Sequence, residues 1–370
     1  MNLSRRDFTR ISALGLAAQI APKVTPMLQA QGSDQKVGYA IIGLGRISDH
    51  FMRGIQATDN SKVTALVSGH PEKAERIAAQ YGVPKSSIYT YENMDALRDN
   101  KTVQAVYIGL PNSMHAEYTI RSAKAGKNVL CEKPMATSVA DAEAMIDACK
   151  TANVKLMIAY RLHYEPTNLK AVQLIRDGSI GKIQSIQSTY GFNCGAGEWR
   201  LSKALAGGGP LMDVGIYCLN ATRYLTGEEP SEFQAFAYRD ANDPRFRDVE
   251  ENLTWITRFP SGVVASCNTT YGANMDGYYH VFGSQGFVEV KPAFNYASLH
   301  LEAASFGGGR EPQKIDEANP EKDPIHFTRE ADHFSNCVLH NQEPKTPGEE
   351  GLRDMKYMQA IYKSAGITLG

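Results

Sequence analysis

From Lys36 to Ala159, apolar runs of strand length alternate with stretches of helical character, and no other feature restricts the fold as much. The runs are residues 36–43, 62–67, 105–108, 128–131 and 155–159. Helical stretches follow Gly45 and Pro71 and cover residues 115–125 and 139–152. Strands connected through helices lie parallel and need cover on both faces, so the pattern predicts an α/β protein with a doubly wound parallel sheet. Ligands of such sheets bind outside the carboxyl ends of the strands. The residues at those ends are therefore the first candidates for a site.

The first strand end reads Gly43-Leu44-Gly45-Arg46-Ile47-Ser48, a strand, a glycine turn and a helix start. This is the context of a dinucleotide-binding turn, in which glycines let backbone N–H groups approach a pyrophosphate at the helix N-terminus. Ser48 stands where the third glycine of that fingerprint would be. The second end is Ser68-Gly69-His70, followed by Lys73. A carboxylate here would bind the ribose 2'-hydroxyl of NAD; a hydroxyl and a cation suit a 2'-phosphate instead, so NADP is favoured over NAD. Lys73 also fits a solvated helix start. The third end is Leu110-Pro111-Asn112-Ser113-Met114-His115, and the fourth is Glu132-Lys133-Pro134, where an apolar run stops at a charge. Taken alone, that last pair reads equally as solvated surface.

Beyond Tyr160 the pattern changes. Strand-like runs at 183–190, 252–259, 263–270 and 287–290 have few helices between them, which predicts a second domain with a large, mostly antiparallel open sheet. A sheet with one uncovered face invites a symmetric partner, a homodimer or homotetramer. Within this half, Ala206-Gly207-Gly208-Gly209-Pro210 is a mobile or tightly turned entry to a helical stretch carrying Asp213 and Tyr217, four apart and so on one face. A carboxylate beside a phenol is either a surface pair or a proton-transfer arrangement, if Lys133 faces it.

The 39 basic and 40 acidic residues leave a net charge of −1, with no footprint for nucleic acid or an anionic membrane. Partners are expected to be small molecules or copies of the chain. Ser4-Arg5-Arg6-Asp7-Phe8 precedes a short apolar run, residues 11–21, and a small-residue exit near Ala30. The run is too short to span a bilayer, so a removed twin-arginine export signal is expected in preference to a frayed basic terminus. No membrane anchoring is expected, and the destination is periplasmic. Six cysteines form no CxxC pair or cluster, so no metal site is expected. The expected division is an N-terminal arm over residues 1–31, a cofactor domain over 34–160, a substrate and oligomerisation domain over 161–350, and a final helix over 351–370 packing back on the first domain.

Together, Gly43-Leu44-Gly45, Val67-Ser68-Gly69, Leu110 to Ser113, Cys131 to Ser138, Tyr160-Arg161, Trp199-Arg200, Ala206 to Gly209, Leu211 to Tyr217 and the Pro347 to Gly351 entry to the last helix resemble the Gfo/Idh/MocA oxidoreductase family, in its glucose–fructose oxidoreductase branch. The resemblance runs from about Lys36 to the C-terminus. It implies a Rossmann domain followed by an α/β domain, with Lys133, Asp213 and Tyr217 as the catalytic group. It also implies that Gly43, Leu44, Gly45, Arg46, Ile47, Ser68, Gly69 and Lys73 hold NADP, together with Leu110, Pro111, Asn112, Ser113, Met114, His115, Glu132, Lys133, Arg161, Trp199 and Arg200. The sugar would meet Lys133, Asp213, Tyr217 and Tyr296. Two departures stand out: His70 lies beside the 2'-phosphate region, and the segment from Gly191 to Gly197 and the region near Tyr296 match less well.

In the mechanism this implies, Tyr217 is the general acid/base, Lys133 lowers its pKa and holds the sugar hydroxyl, and Asp213 orients the lysine or the sugar. An exported enzyme meets no dependable supply of NADPH, so the cofactor is expected to stay tightly bound. The expected reaction is ping-pong: hydride leaves an aldose C1, giving an aldonolactone, and is returned to a second ketose or aldose, giving an alditol. The rivals are an NAD(P)-using glycosidase of the same family, a sugar-ketone reductase with exchangeable NADPH, and a non-catalytic sensor.

Overall fold

Six strands form the first sheet of the computed structural model: β1 (Val37–Ile42), β2 (Ser61–Val67), β3 (Ile88–Tyr89), β4 (Ala105–Ile108), β5 (Asn128–Glu132) and β6 (Leu156–Ala159). Their order is β3-β2-β1-β4-β5-β6 and every pairing is parallel. The strand order reverses between β1 and β4, which opens a crevice above the Gly43 turn. β1, β4 and β6 are buried along their whole length, as continuous apolar runs covered on both faces must be. The intervening helices are α1 (Arg46–Gln56), α2 (Pro71–Tyr81), α3 (His115–Lys124) and α4 (Val139–Ala152). Ser138 caps α4 by accepting the Asp141 N–H at 3.0 Å, a contact that contributes about 1 kcal/mol. The structure describes residues 36–307 and 311–369, so the expected export arm lies outside the described residues.

α5 (Pro166–Arg176) leads into the second sheet through β7 (Ile183–Gly191). Next come α6 (Lys203–Ala206), a π-turn (Leu211–Gly215) and α7 (Ile216–Thr226). The remaining strands are β8 (Glu232–Tyr238), β9 (Asn252–Arg258), β10 (Val264–Thr270), β11 (Tyr278–Gly283), β12 (Gly286–Val290), β13 (His300–Ser305) and β14 (Gln313–Ala318). The order is β14-β13-β12-β11-β7-β10-β9-β8. β7 and β10 pair in parallel, and the other pairs are antiparallel. One face packs on α5, α7 and the last helix. The other exposes Phe236 at 81% and Tyr238 at 62%.

Two helices close the chain, α8 (Ile325–Leu339) and α9 (Gly348–Ser364). α8 was not expected. It lies within the segment assigned to the second domain yet packs on α1, where Phe327, Ala331 and Phe334 join Tyr39 and Phe51 in one core. Polar residues interrupt its apolar stripe in sequence, which hides the helical period. α9 begins before the expected Gly351 and packs on both α4 and β8, so it bridges the layers instead of returning only to the first. Buried Arg223 of α7 ties it down, donating to Glu350 at 2.7 Å and Asp354 at 2.6 Å. The glycine entry to the π-turn is packed, not mobile, with Gly207, Gly208 and Gly209 all buried.

Candidate active site

The carboxyl end of β5 carries Lys133 toward the π-turn. Its Nζ donates to the Asp213 backbone oxygen at 2.7 Å and to Oδ1 at 3.1 Å. The π-turn is wider than α-helix, a local geometry that recurs at functional sites. The stretch from Asp213 to Tyr217, read from sequence as one α-helical turn, starts in it. In the first turn of α7 the Tyr217 ring lies 4.8 Å from the Lys133 ammonium and 5.5 Å from the Arg161 guanidinium. The three residues assigned to catalysis from sequence thus share one locality, assembled from β5, the π-turn and α7.

They line a cavity of about 490 Å³. One wall comes from strand ends of the first sheet: Arg46, Ile47, Leu110, Asn112 and Glu132. The facing wall comes from the second domain: Tyr190, Phe192, Trp199, Tyr217 and Tyr296. Tyr296 stacks on His50 at 4.5 Å and beneath Arg161 at 4.4 Å.

Lys133, Asp213 and Arg200 form one cluster of opposite charges in the cavity. Burial would raise the Asp213 carboxyl, but Lys133 and Arg200 outweigh it and hold the group well below the usual carboxylate range. Arg200 Nε donates to Asp213 Oδ2 at 2.8 Å, and the Tyr271 hydroxyl donates to the same oxygen at 2.9 Å. Burial pushes the Tyr217 phenol up to about 12, and the foremost cation opposing that rise is Arg161, not Lys133 as expected. Arg161 acts on the phenol both as a charge and as a hydrogen-bond donor, while the Lys133 ammonium donates twice to Asp213. Burial also raises Glu132, against the pull of Lys133 and of the Tyr107 hydroxyl, which donates to Oε1 at 2.7 Å.

Several residues expected along the cofactor have other duties. Arg200 is bound to Asp213 and to Glu198, and so is not a free cation for phosphate. His115 is 1% exposed and staples two strand-end loops, with its ring nitrogens 2.8 Å from the Pro134 oxygen and 3.0 Å from the Leu110 oxygen. Asn112 donates to the Ala206 oxygen at 2.9 Å, fastening the glycine entry to β4's end. Ser113 and Met114 belong to a short 3₁₀ turn. Gly43, Leu44, Gly45, Pro111, Ser68, Gly69 and Lys73 lie outside the cavity lining, Ser68 and Gly69 just past the end of β2 and Lys73 in the first turn of α2.

The first strand end fits a dinucleotide. Gly43 has φ of +84°, and a Cβ there would stand 2.7 Å from the Gly109 oxygen. Gly45 begins α1 with no side-chain cap, and its Cβ position meets nothing nearer than 3.9 Å. Uncapped N–H groups at a helix N-terminus facing open space make an anion cradle. Ser48, in place of the third glycine, is buried and its hydroxyl has no hydrogen-bond partner among the described residues. At the end of β2, Ser68 Oγ accepts the His70 N–H at 3.1 Å, and exposed Lys73 stands in the first turn of α2.

Sequence reasoning missed Tyr190, Phe192, Tyr271 and Glu198. Tyr190 lies near the end of β7 and Tyr271 directly follows β10. These are the parallel neighbours of the second sheet, so their carboxyl ends meet at one edge. That pairing exists only in the folded sheet, so no sequence signal marked these residues. His300, Glu302 and Asp316, outside the cavity lining, cluster on β13 and β14, where His300 Nε2 and Asp316 Oδ1 are hydrogen-bonded at 2.6 Å.

A family model described as an oxidoreductase family with NAD-binding Rossmann fold matches residues 37–160, and one for a GFO/IDH/MocA C-terminal domain matches residues 168–289. The D-xylose 1-dehydrogenase [NADP(+)] of Haloarcula marismortui is 32% identical over 343 residues, covering 90% of this chain and 92% of its own length. The levoglucosan dehydrogenase of Pseudarthrobacter phenanthrenivorans is 29% identical over 62% of this chain and 64% of its own. The crystal structure of aldose–aldose oxidoreductase from Caulobacter crescentus, complexed with glycerol, superposes with a TM-score of 0.85 at 44% identity, covering 90% of this chain and 98% of that one.

Proposed function

The chain belongs to the Gfo/Idh/MocA oxidoreductase family and is a nicotinamide-dependent sugar oxidoreductase, and from that premise we propose that it keeps NADP bound and moves a hydride from the C1 of an aldose to a second sugar. The observation that carries this reading is the single cavity in which the cofactor-side strand ends meet Lys133, Asp213 and Tyr217 under an aromatic wall. A nicotinamide cofactor held at the Gly43 to Gly45 turn would supply a hydride acceptor for the first sugar and a hydride donor for the second. Tyr217 takes the proton of the C1 hydroxyl as an aldonolactone forms, and gives it back to the carbonyl oxygen of the second sugar as an alditol forms. Lys133 holds the reacting oxygen, and Asp213 holds Lys133. The rings of Tyr190, Phe192 and Tyr296 offer apolar faces to the C–H face of a sugar ring and keep water from the reacting atoms.

The paired arginines at Arg5 and Arg6 and the apolar run after them support export to the periplasm. The twin-arginine route carries folded protein, so NADP loaded beforehand would travel with it. The bare outer face of the second sheet supports pairing with another copy of the chain.

An absorption spectrum of the dialysed protein, taken before and after adding glucose, tests the proposal. Bound NADP should be present, the NADPH band should grow with glucose, and fructose or more aldose should erase it while alditol accumulates. Protein that emerges without nicotinamide, or that forms no alditol, overturns the proposal. Freely exchanging NADPH would then point to a dehydrogenase like the D-xylose 1-dehydrogenase relatives. Hydrolysis of an aryl glycoside without net redox would point to a glycosidase.

A further inference from the structure

Asp213 is held from behind by a residue that no motif marks. Tyr271 follows β10, is 0% exposed, and gives its hydroxyl to Asp213 Oδ2 at 2.9 Å. Its own position is set on two sides. Its backbone N–H donates to the Glu251 oxygen at 2.8 Å. Its ring packs edge-on against Phe192 at 5.1 Å within a small core of Cys194, Val214 and Phe246. Val214 belongs to the π-turn itself, so the same cluster grips the backbone on which Asp213 rides. Arg200 reaches Oδ2 from the other flank at 2.8 Å. Oδ2 therefore faces the tyrosine and the arginine, and Oδ1 is left to Lys133.

We propose that Tyr271 is a positioning residue: with Arg200 it clamps Asp213 so that Oδ1 and the Asp213 backbone oxygen fix the Lys133 ammonium at the cavity floor. A carboxylate on a short side chain can turn about its last bond, and a lysine on four methylenes follows wherever its partner goes. Two donors on one oxygen remove that freedom. Tyr271 touches neither sugar nor cofactor in this scheme and acts only through Asp213. The inference rests on the role given above to Lys133.

Tyr271→Phe removes the hydroxyl and keeps the ring in its core. With glucose as substrate, kcat should fall about tenfold, the scale of one hydrogen bond to a charged group, while KM and bound NADP stay as in the parent. A second readout needs no sugar: acylation of lysines by an amine-reactive reagent, followed by peptide mapping. Lys133 should react at least about threefold faster in Tyr271→Phe, because a loosened carboxylate no longer shields its ammonium. Lys127 is the internal control, a 6% exposed lysine whose ammonium donates to the Asn100 and Val103 oxygens at 3.0 and 2.8 Å. Lys127 labelling should not change. Unchanged Lys133 labelling, Lys127 rising in step with Lys133, or kcat within about twofold of the parent would each overturn the clamp. If the parent protein is inert toward glucose, the sugar reading falls by itself, and the ratio of Lys133 to Lys127 labelling alone decides the clamp.

Discussion

At Tyr217 two opposing influences meet, burial in an aromatic wall and the Arg161 guanidinium, and burial wins. With the phenol raised to about 12, the protonated form dominates at neutral pH. That form donates to a sugar carbonyl; the phenolate is the form that takes a proton from a sugar hydroxyl. Each unit of rising pH below that value multiplies the phenolate fraction about tenfold, so the oxidative half-reaction should accelerate with pH while the reductive half stays flat. Stopped-flow traces of cofactor reduction across neutral and mildly alkaline pH would show the slope. Tyr217→Phe should lower turnover by about 10²- to 10⁴-fold and abolish the slope with NADP still bound. Near-normal turnover in that variant would remove Tyr217 from the chemistry. Lys133 was legible only in company: alone its pair read equally as surface, and the other strand ends on the same rim, with the Asp213 and Tyr217 face offered by the second domain, made it a candidate. Tyr271 was not: its contact with Asp213 joins positions 58 apart in sequence, across elements of different type, and no local spacing encodes such a meeting. Arg200 was placed along NADP by the family resemblance, and its sequence context does not say that the Asp213 carboxylate will claim it.

The π-turn and the glycines before it form an element whose shape sets the site. Gly209 donates its N–H to buried Glu250 at 2.9 Å, and a Cβ on it would stand 2.5 Å from the Glu250 backbone oxygen. Glu250 also accepts the Tyr362 hydroxyl of α9 at 2.7 Å, so the segment is wedged between β9's approach and the last helix. Backbone cannot give way as a flexible side chain can. Gly209→Ala should therefore destabilise the fold by about 1–3 kcal/mol, the usual scale for overpacking, and should reduce turnover further by shifting Asp213. Thermal unfolding and kcat, measured together, check this; an unchanged Tm would mean that the segment has more room than its packing indicates. The continuous apolar runs of the first sheet and the helix-length stretches between them, α4 among them, were legible from sequence alone. The π-turn was not, since a run of glycines reads alike for a mobile loop and for a close-packed one, and only the neighbours decide.

For the molecule as a whole, the outer face of the second sheet is the largest unfinished feature. Phe236, Tyr238, Ile256 and Val264 lie on it at 81%, 62%, 47% and 37% exposure, on three adjacent strands. If two copies pair through that face, Phe236→Glu should shift the mass seen by light scattering toward the monomer and leave turnover intact, because the substitution is remote from the cavity. No change in mass would place the contact elsewhere. The open sheet itself was foreseeable from runs of strands without helices between them; the return of α8 to the first layer was not. That return has a consequence for how the protein is made. Tyr39 of β1 shares a hydrogen bond of 2.8 Å with Ser335 of α8, a partner 296 residues downstream. The half synthesised first therefore cannot complete its core until nearly the entire polypeptide has left the ribosome, and a chain interrupted anywhere before α8 leaves the nucleotide-binding layer open. Folding of the first layer is thereby tied to the arrival of a helix near the end of the chain.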